Sequence, residues 1–222
     1  MIKGVLFDFD GTLADSSPGI FSTATKVVVD MGYKGPWSNA TLRKFVGPPL
    51  RECFRITFSL PDEELDEAVF RYRQIYRQTG YSMCHLYDGI PDLLSELNKL
   101  GIKVGVATNK EQNTVERCME ALGITSFFDG IFGTDERGLL KKCDVITRGV
   151  EKFSFSPDEV LMIGDTENDR IGAIHANVPF LAVSWGFGYS DDAKNNFNCV
   201  LTPKEVLEYI VNKTGGINDR KD

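Results

Sequence analysis

Two carboxylates near the N-terminus, Asp8 and Asp10, are placed to bind a cation or to transfer a proton. They follow the apolar run Val5–Phe7, and the period-two geometry of a strand directs both side chains to the same side where the strand ends. Two like charges this close repel each other unless a cation lies between them or one carboxyl is protonated. The alternative is a pair of exposed turn acids before Gly11. A calcium loop is excluded, because the sixth and twelfth positions counted from Asp8 are leucine and glycine instead of glycine and glutamate.

A second acidic group, Asp165, Glu167 and Asp169, follows the apolar run 160–163. Asp165 therefore lies at the carboxyl end of another predicted strand, where ligands bind in open α/β sheets. Asp165 and Asp169 would also share one face of a helix that begins near Thr166. Capping of that helix accounts for one of these acids but not for all three. Oxygen ligands without a nearby histidine or cysteine predict Mg²⁺ rather than a transition metal.

Thr108 and Asn109 follow a third apolar run, 104–107, and so stand at the end of a third predicted strand. Their polar groups and the backbone amides at the start of a predicted helix, 111–121, favour binding of an anion. The same residue types are common helix caps, so this pattern leaves both interpretations open.

The elements that must position these residues predict an α/β fold. Five short apolar runs do not alternate with polar residues, which is typical of parallel strands buried on both faces. Segments with helical spacing separate them from residue 89 onward. We therefore predict a Rossmann-like parallel sheet of five strands flanked by helices. The five runs are 5–7, 104–107, 131–132, 160–163 and 180–183.

The stretch between the first strand and residue 89 is too long for an ordinary crossover connection and carries helical patterns throughout. It predicts an inserted helical cap over residues 16–83, with a catalytic core made of residues 1–15 and 84–222. The predicted cap helices are 18–31, 39–45, 49–58 and 62–79.

Composition limits the classes of partner. The 222 residues carry 25 basic and 32 acidic side chains, a net charge of -7, which argues against nucleic-acid or anionic-membrane binding. No apolar stretch approaches the length of a membrane span. Five cysteines without a CxxC pair predict reduced thiols. We expect a cytoplasmic protein, monomeric or weakly dimeric.

Taken together, DFDGTLADS from Asp8, VATN at 106–109, a lysine at a helix start and MIGDTEND around Asp165 resemble the haloacid dehalogenase superfamily. The chain is most similar to the phosphoglycolate-phosphatase-like branch, which places a helical cap directly after the first motif. The resemblance spans nearly the whole length. It implies a phosphoric monoester hydrolase.

The resemblance implies a role for each motif residue. Asp8 resembles the nucleophile that forms an aspartyl-phosphate, and Asp10 the general acid and base. Thr108 and Lys142 resemble the groups that hold the transferred phosphoryl oxygens. Lys142 is chosen because it stands three residues before an apolar pair that should dock its helix. Lys141 remains an alternative, since the proline that many relatives place after this lysine is missing here.

The implied metal site uses the same acids. Asp8, the backbone carbonyl of Asp10, and Asp165 would ligate Mg²⁺, with Asp169 as a ligand through water or as a support for the others. All of these groups must converge on one ion if the interpretation is correct.

Candidate substrate contacts are Gly11, Asn109, Arg43 and Arg51. Either arginine could meet a second anionic group on the substrate, although a solvated helix face is the alternative. The expected substrate is a small phosphomonoester, with phosphoglycolate, a nucleoside monophosphate or a sugar phosphate as candidates. Asp10 argues against dehalogenation and phosphonate hydrolysis. A sugar-phosphate mutase and a non-catalytic Mg²⁺-binding scaffold are the remaining alternatives.

Overall fold

The computed structural model describes residues 1–136, 138–190 and 198–214, so the end of the predicted core beyond residue 214 lies outside the described residues. Eight strands occur in this part of the chain: β1 Gly4–Phe7, β2 Ala14–Asp15, β3 His85–Leu86, β4 Lys103–Glu111, β5 Gly130–Thr134, β6 Val160–Gly164, β7 Phe180–Val183 and β8 Cys199–Val200. Six of them form one parallel sheet in the order β5–β4–β1–β6–β7–β8. The predicted α/β fold is confirmed.

Nine helices lie in the described residues: α1 Ser17–Asp30, α2 Asn39–Leu42, α3 Leu50–Phe58, α4 Asp62–Tyr76, α5 Ile90–Lys99, α6 Gln112–Ala121, α7 Lys142–Phe153, α8 Glu167–His175 and α9 Pro203–Lys213. The predicted helix 39–45 is α2 followed by a 3₁₀ turn, Arg43–Phe45. The predicted helix 62–79 ends at Tyr76. None of the described helices combines the length and the apolar character needed to cross a membrane.

The central strand β1 is buried on both faces, as its uninterrupted apolar sequence predicts. Leu6 points into a core formed with α7 and α8, whereas Val5 and Phe7 point into a larger core on the opposite face. This alternation explains why the strand needs helices on both sides. It also fixes the direction in which the loop after Phe7 leaves the sheet.

The five-strand prediction was one strand short, because β8 contains only two residues and gives little pattern in the sequence. The predicted start of the helix at 111 was also wrong. Strand β4 continues through Glu111, with a register shift after Ala107, and the helix begins at Gln112. Thr108 therefore belongs to a strand, and the argument for an anion site at a helix start does not apply to it.

Helices α1 to α4, which we call the helical segment, lie between β2 and β3. These two strands pair antiparallel, Ala14 opposite Leu86 and Asp15 opposite His85. A cluster of aromatic rings fills the interior of the segment; it includes Phe45, Phe54, Phe58, Tyr72 and Tyr76. The division into a cap at 16–83 and a core stays a prediction.

Candidate active site

The three acids from distant parts of the sequence meet at the carboxyl edge of the sheet. Asp8 follows β1, while Asp165 and Asp169 follow the neighbouring strand β6. One carboxylate oxygen from each lies within 4.8 Å of the other two, and all three residues are buried. The adjacency of β1 and β6 in the sheet brings these residues together across more than 150 positions of sequence.

Lys142 is the buried cation of this cluster. Its Nζ lies 2.7 Å from Asp8 Oδ1 and 2.7 Å from Asp169 Oδ1. Burial alone would lower the pKa of Lys142, but Asp169 and Asp8 outweigh that effect and raise it. Lys141 is exposed and caps α7, and its amide donates to Asp144 Oδ2 at 2.8 Å. The structure therefore places Lys142, and not Lys141, against the acids.

Burial has the largest effect on the pKa values of Asp8 and Asp165. It raises the pKa of Asp8 to about 6, against the opposing effect of Lys142. It also raises the pKa of Asp165 strongly, and the neighbouring charges of Asp169 and Asp8 add to that rise. Asp165 keeps two donors, the Thr12 hydroxyl at 3.1 Å and the Phe187 amide at 2.7 Å.

This donor set fits a divalent cation. Three buried carboxylates face a single ammonium group, so the cluster holds more negative charge than its protein partners neutralise. The contributing atoms are all oxygens, which hard cations prefer. Oxygen Oδ1 of Asp8 is shielded from solvent and receives no hydrogen bond from the described residues in good geometry, although it lies in ion-pair range of Lys142. A bound cation would give this oxygen a second partner beside Lys142 and would offset the negative charge that one ammonium group leaves.

Asp10 does not join that cluster through its side chain. Its carboxylate contacts Lys110 Nζ at 2.8 and 2.9 Å and accepts a hydrogen bond from the Ser16 hydroxyl. The Lys110 ammonium is buried and lies 4.8 Å from the centre of the Tyr76 ring. Desolvation would lower the pKa of Lys110, but Asp10 reverses the sign and raises it, so the group stays charged.

Sequence reasoning missed Lys110. The sequence predicts that the strand ends at Ala107 and that the residues after it lead into a helix at 111, which gives Lys110 no role. In a strand, Thr108 and Lys110 have period-two spacing and so share a face. This spacing would have placed Lys110 beside Thr108 if the predicted strand had been extended beyond Ala107.

Gly11 allows its backbone to lie close to Asp165, but its amide is not free to bind a substrate. Its φ is +85°, and a Cβ there would lie 2.2 Å from Asp165 Oδ2. Its N–H donates to the Ala14 carbonyl at 2.9 Å. Substrate binding by Gly11 stays a prediction, but the structure shows a turn that only glycine accommodates beside Asp165.

Asn109 holds a loop of the helical segment over the core. Its Nδ2 donates to the Gly47 carbonyl at 3.1 Å, and Asn168 Nδ2 donates to the same oxygen at 3.3 Å. Thr108 is buried beside Asn109, and its hydroxyl accepts the Lys110 amide at 3.2 Å. Both residues line the cavity described below.

The two candidate arginines have protein partners. Arg43 donates to the Gly186 carbonyl at 2.8 Å and lies 5.3 Å from the Phe187 ring centre. Arg51, on α3, pairs with Asp66 on α4 and donates a hydrogen bond to the backbone carbonyl of Asp62, which is also on α4. Arg51 lines the cavity, whereas Arg43 lies on its outer side against the loop after β7. Their proposed contacts with a substrate remain predictions.

A cavity of about 290 Å³ separates the helical segment from the carboxyl edge of the sheet. Asp8, Asp10 and Thr108 lie on its core side. Helices α3 and α4 and the loop at 46–49 form the opposite wall. A small molecule in this cavity would contact the carboxylate of Asp8 and the side chains of the helical segment at the same time.

If the site hydrolyses phosphomonoesters, as the resemblance of the sequence implies, replacing Lys142 by methionine is expected to lower kcat/KM for p-nitrophenyl phosphate by about 10² to 10³-fold, because it removes fixed positive charge next to Asp8. Lys141→Met is the matched control. Its kcat/KM should stay within about twofold of the wild-type value, because the Lys141 side chain is exposed and does not contact the acids. Steady-state kinetics and a thermal unfolding curve for each folded variant test this. Equal losses in the two variants would contradict it.

Comparison with known proteins agrees with this geometry. The profile of the haloacid dehalogenase-like hydrolase family matches residues 5–183. The chain is 32% identical to tyrosine-protein kinase PtkA of Mycobacterium tuberculosis, over 93% of this chain and 70% of that protein. It is 32% identical to a 5'-nucleotidase of Pseudomonas aeruginosa, over 86% of each chain. It is 30% identical to phosphoglycolate phosphatase of Vibrio cholerae, over 87% of this chain and 89% of that one.

Among solved structures, the crystal structure of a predicted phosphatase from Clostridium acetobutylicum superposes with a TM-score of 0.88 at 33% identity, covering 96% of this chain and all of that one. The sheet order, the acidic cluster and these similarities agree with one another. The protein is an enzyme of the haloacid dehalogenase-like hydrolase family.

Proposed function

We propose that the protein is a Mg²⁺-dependent phosphatase that hydrolyses a small phosphomonoester through an aspartyl-phosphate on Asp8. The observation that carries this proposal is the placement of Asp8, buried beside Lys142 and Asp165 and lining a cavity. A carboxylate there can attack a phosphorus atom only if nearby positive charge reduces its repulsion from the phosphate. The phosphoglycolate phosphatase and 5'-nucleotidase relatives support the same class of reaction.

In this mechanism Asp8 displaces the alcohol of the ester, and the Asp8 carboxyl then holds the phosphoryl group. Lys142 and the Thr108 hydroxyl bind the phosphoryl oxygens and neutralise charge in the transition state. Asp8, Asp165, Asp169 and the backbone carbonyl of Asp10 would hold Mg²⁺, which when bound supplies further charge neutralisation at the phosphate.

Asp10 transfers a proton in each of the two steps. It protonates the departing alkoxide, and as a carboxylate it then accepts a proton from the water that hydrolyses the phosphoenzyme. The Ser16 hydroxyl and Lys110 hold its carboxylate in place between these two steps. The apolar wall of the cavity keeps other water away from the intermediate.

Hydrolysis in ¹⁸O-labelled water separates this function from its alternatives. A phosphatase of this type releases inorganic phosphate that carries one oxygen from solvent, and the release requires added Mg²⁺ after treatment with a chelator. A sugar-phosphate mutase would return the phosphoryl group to a sugar, and a scaffold would release no phosphate. Action in the cytoplasm and a monomeric or weakly dimeric state stay predictions.

Asp10→Asn is expected to affect leaving groups unequally. An aryl phosphate such as p-nitrophenyl phosphate needs no proton on departure, so the variant should still form phosphoenzyme from it. Release of an alkyl alcohol needs the acid, and its rate should fall by about 10² to 10⁴-fold. Rapid-quench measurement of the burst with each substrate tests this. Equal slowing of the two substrates would remove Asp10 from the acid role.

A further inference from the structure

We infer that the preferred substrate has an uncharged, largely apolar leaving group of about the size of one ring, and that a small anionic substrate such as phosphoglycolate binds poorly. This inference rests on the proposed function and specifies the substrate class of the same site. It comes from the wall of the cavity opposite Asp8, which the catalytic motifs do not describe.

That wall is apolar over most of its surface. Helices α1, α3 and α4, with the loop between them, contribute aliphatic, thiol and aromatic groups that face the core side of the cavity. Tyr72 and Tyr76 stack with ring centres 5.4 Å apart and an interplanar angle of 14°. The apolar lining residues of this segment include Ile20, Phe45, Val46, Val69, Tyr72 and Tyr76.

Two of the three cations that line the cavity already pair with carboxylates of the same lining. Among the described lining residues there are four carboxylates, on Asp8, Asp10, Asp66 and Glu111, and three cations, on Lys110, Arg51 and Arg73. Lys110 binds both oxygens of Asp10. Arg51 pairs with Asp66.

Arg73, the third cation, donates to the backbone carbonyl of Glu136 at the mouth of the cavity. Arg73 pairs with no acidic side chain in the described part of the chain, so it is the group most able to receive a second anion. Beside it the chain presents Leu139, whose surface is 69% exposed and which also lines the cavity. The mouth therefore combines one arginine with an apolar side chain.

A second anion would be poorly accommodated deeper in this cavity. Removing water from a carboxylate is unfavourable unless a charged or hydrogen-bonding partner replaces that water. Lys110, the buried cation of the cavity, would have to give up Asp10 to provide one, whereas Arg51 and Asp66 form their pair at the exposed surface. A neutral ring meets no such cost and gains contact with the two tyrosines. By this reasoning a phosphate ester of a neutral alcohol that carries one aromatic ring ranks above phosphoglycolate.

Three alkyl phosphates separate size from charge. Benzyl phosphate carries a neutral ring, ethyl phosphate is a small neutral ester, and phosphoglycolate has similar size to ethyl phosphate but adds a carboxylate. All three release a primary alcohol. We expect kcat/KM to fall in the order benzyl, ethyl, phosphoglycolate, with about tenfold or more between the first and the last. Phosphoglycolate equal to or above ethyl phosphate would overturn the inference.

A charge placed in the wall should reverse part of this preference. Val69→Arg adds a cation on α4 toward the cavity, whereas Phe70→Arg adds the same charge on the exposed side of the same helix. We expect Val69→Arg to lower the benzyl-to-phosphoglycolate ratio by about tenfold, and Phe70→Arg to leave it within twofold. A loss of phosphoglycolate activity in Arg73→Gln greater than its loss of ethyl phosphate activity would show that Arg73 already binds a carboxylate, against the inference.

Binding measurements keep this test separate from the proposed function. Absence of turnover with all three esters and with p-nitrophenyl phosphate would refute the phosphatase. Calorimetric titration of the wild-type protein with Mg²⁺ and the non-hydrolysable benzylphosphonate or phosphonoacetate would still decide the ligand class. Tighter binding of benzylphosphonate supports the inference, and tighter binding of phosphonoacetate overturns it.

Discussion

Asp8→Asn is expected to lower kcat by about 10⁴ to 10⁶-fold, the range found when a covalent nucleophile is removed. Asparagine keeps the shape of the side chain but is a far weaker nucleophile than the carboxylate. The loss should be the same for aryl and alkyl phosphates, because both must react with Asp8 before any difference between leaving groups is expressed. This uniform loss distinguishes Asp8 from Asp10.

Acid quenching after mixing with ³²P-labelled substrate provides the direct measurement. Wild-type protein should retain label that is lost under mild alkali, as expected of an acyl phosphate, and Asp8→Asn should retain none. Asp88→Asn, an exposed carboxylate in the turn before α5, is the matched control and should label normally. Turnover above about one per cent in Asp8→Asn would assign the nucleophile to another residue.

The metal-free protein is expected to lose stability as pH rises from about 4 to 7. The Asp8 pKa is about 6 in the folded state against 3.8 in the unfolded chain, and the Asp165 pKa is also raised. Between these values the folded state binds more protons than the unfolded state, so the free energy of unfolding falls with increasing pH. The stabilising effect of protonation is complete below the unfolded pKa and is lost as pH passes the folded pKa.

Mg²⁺ should remove most of that slope, because a cation between the carboxylates stabilises their ionised forms. At pH 7.5 and 100 times its dissociation constant, a ligand specific for the folded state adds about 2.7 kcal/mol. Urea unfolding in chelator and in Mg²⁺, from pH 4.5 to 8, measures both effects. Asp165→Asn should reduce the response to Mg²⁺. The same pH slope with and without Mg²⁺ would exclude cation binding at the three acids.

The approach of Asp8 to Asp165 could be predicted from the sequence, because both follow buried parallel strands and such strands end at one edge of a sheet. Lys110 was harder to predict. The apolar run ends at Ala107, and nothing local indicates that polar residues extend the strand to Glu111. They do so because each finds a tertiary partner: Lys110 binds Asp10, and Glu111 binds Arg77, the residue directly after α4.

The arginines show the same limit. The sequence around Arg43 and Arg51 has an excess of basic residues, which suggested a role in substrate recognition. In the structure Arg43 binds the backbone near Phe187, and Arg51 binds Asp66 on the next helix. Both partners are distant enough in sequence that only the packed structure identifies them. The net charge of a segment in the sequence therefore does not indicate which of its basic side chains are free to bind an anionic ligand.

The pairing of β2 with β3 has a consequence for how enzymes of this shape diversify. The helical segment begins after Asp15 and ends before His85, and paired residues in such a ribbon have Cα atoms only about 5 Å apart. A stretch with such close ends can be lengthened, shortened or exchanged by recombination without changing the register of the main sheet. The three acids follow strands of the sheet, whereas the apolar wall of the cavity belongs to the helical segment, so this wall can change while the acids keep their places.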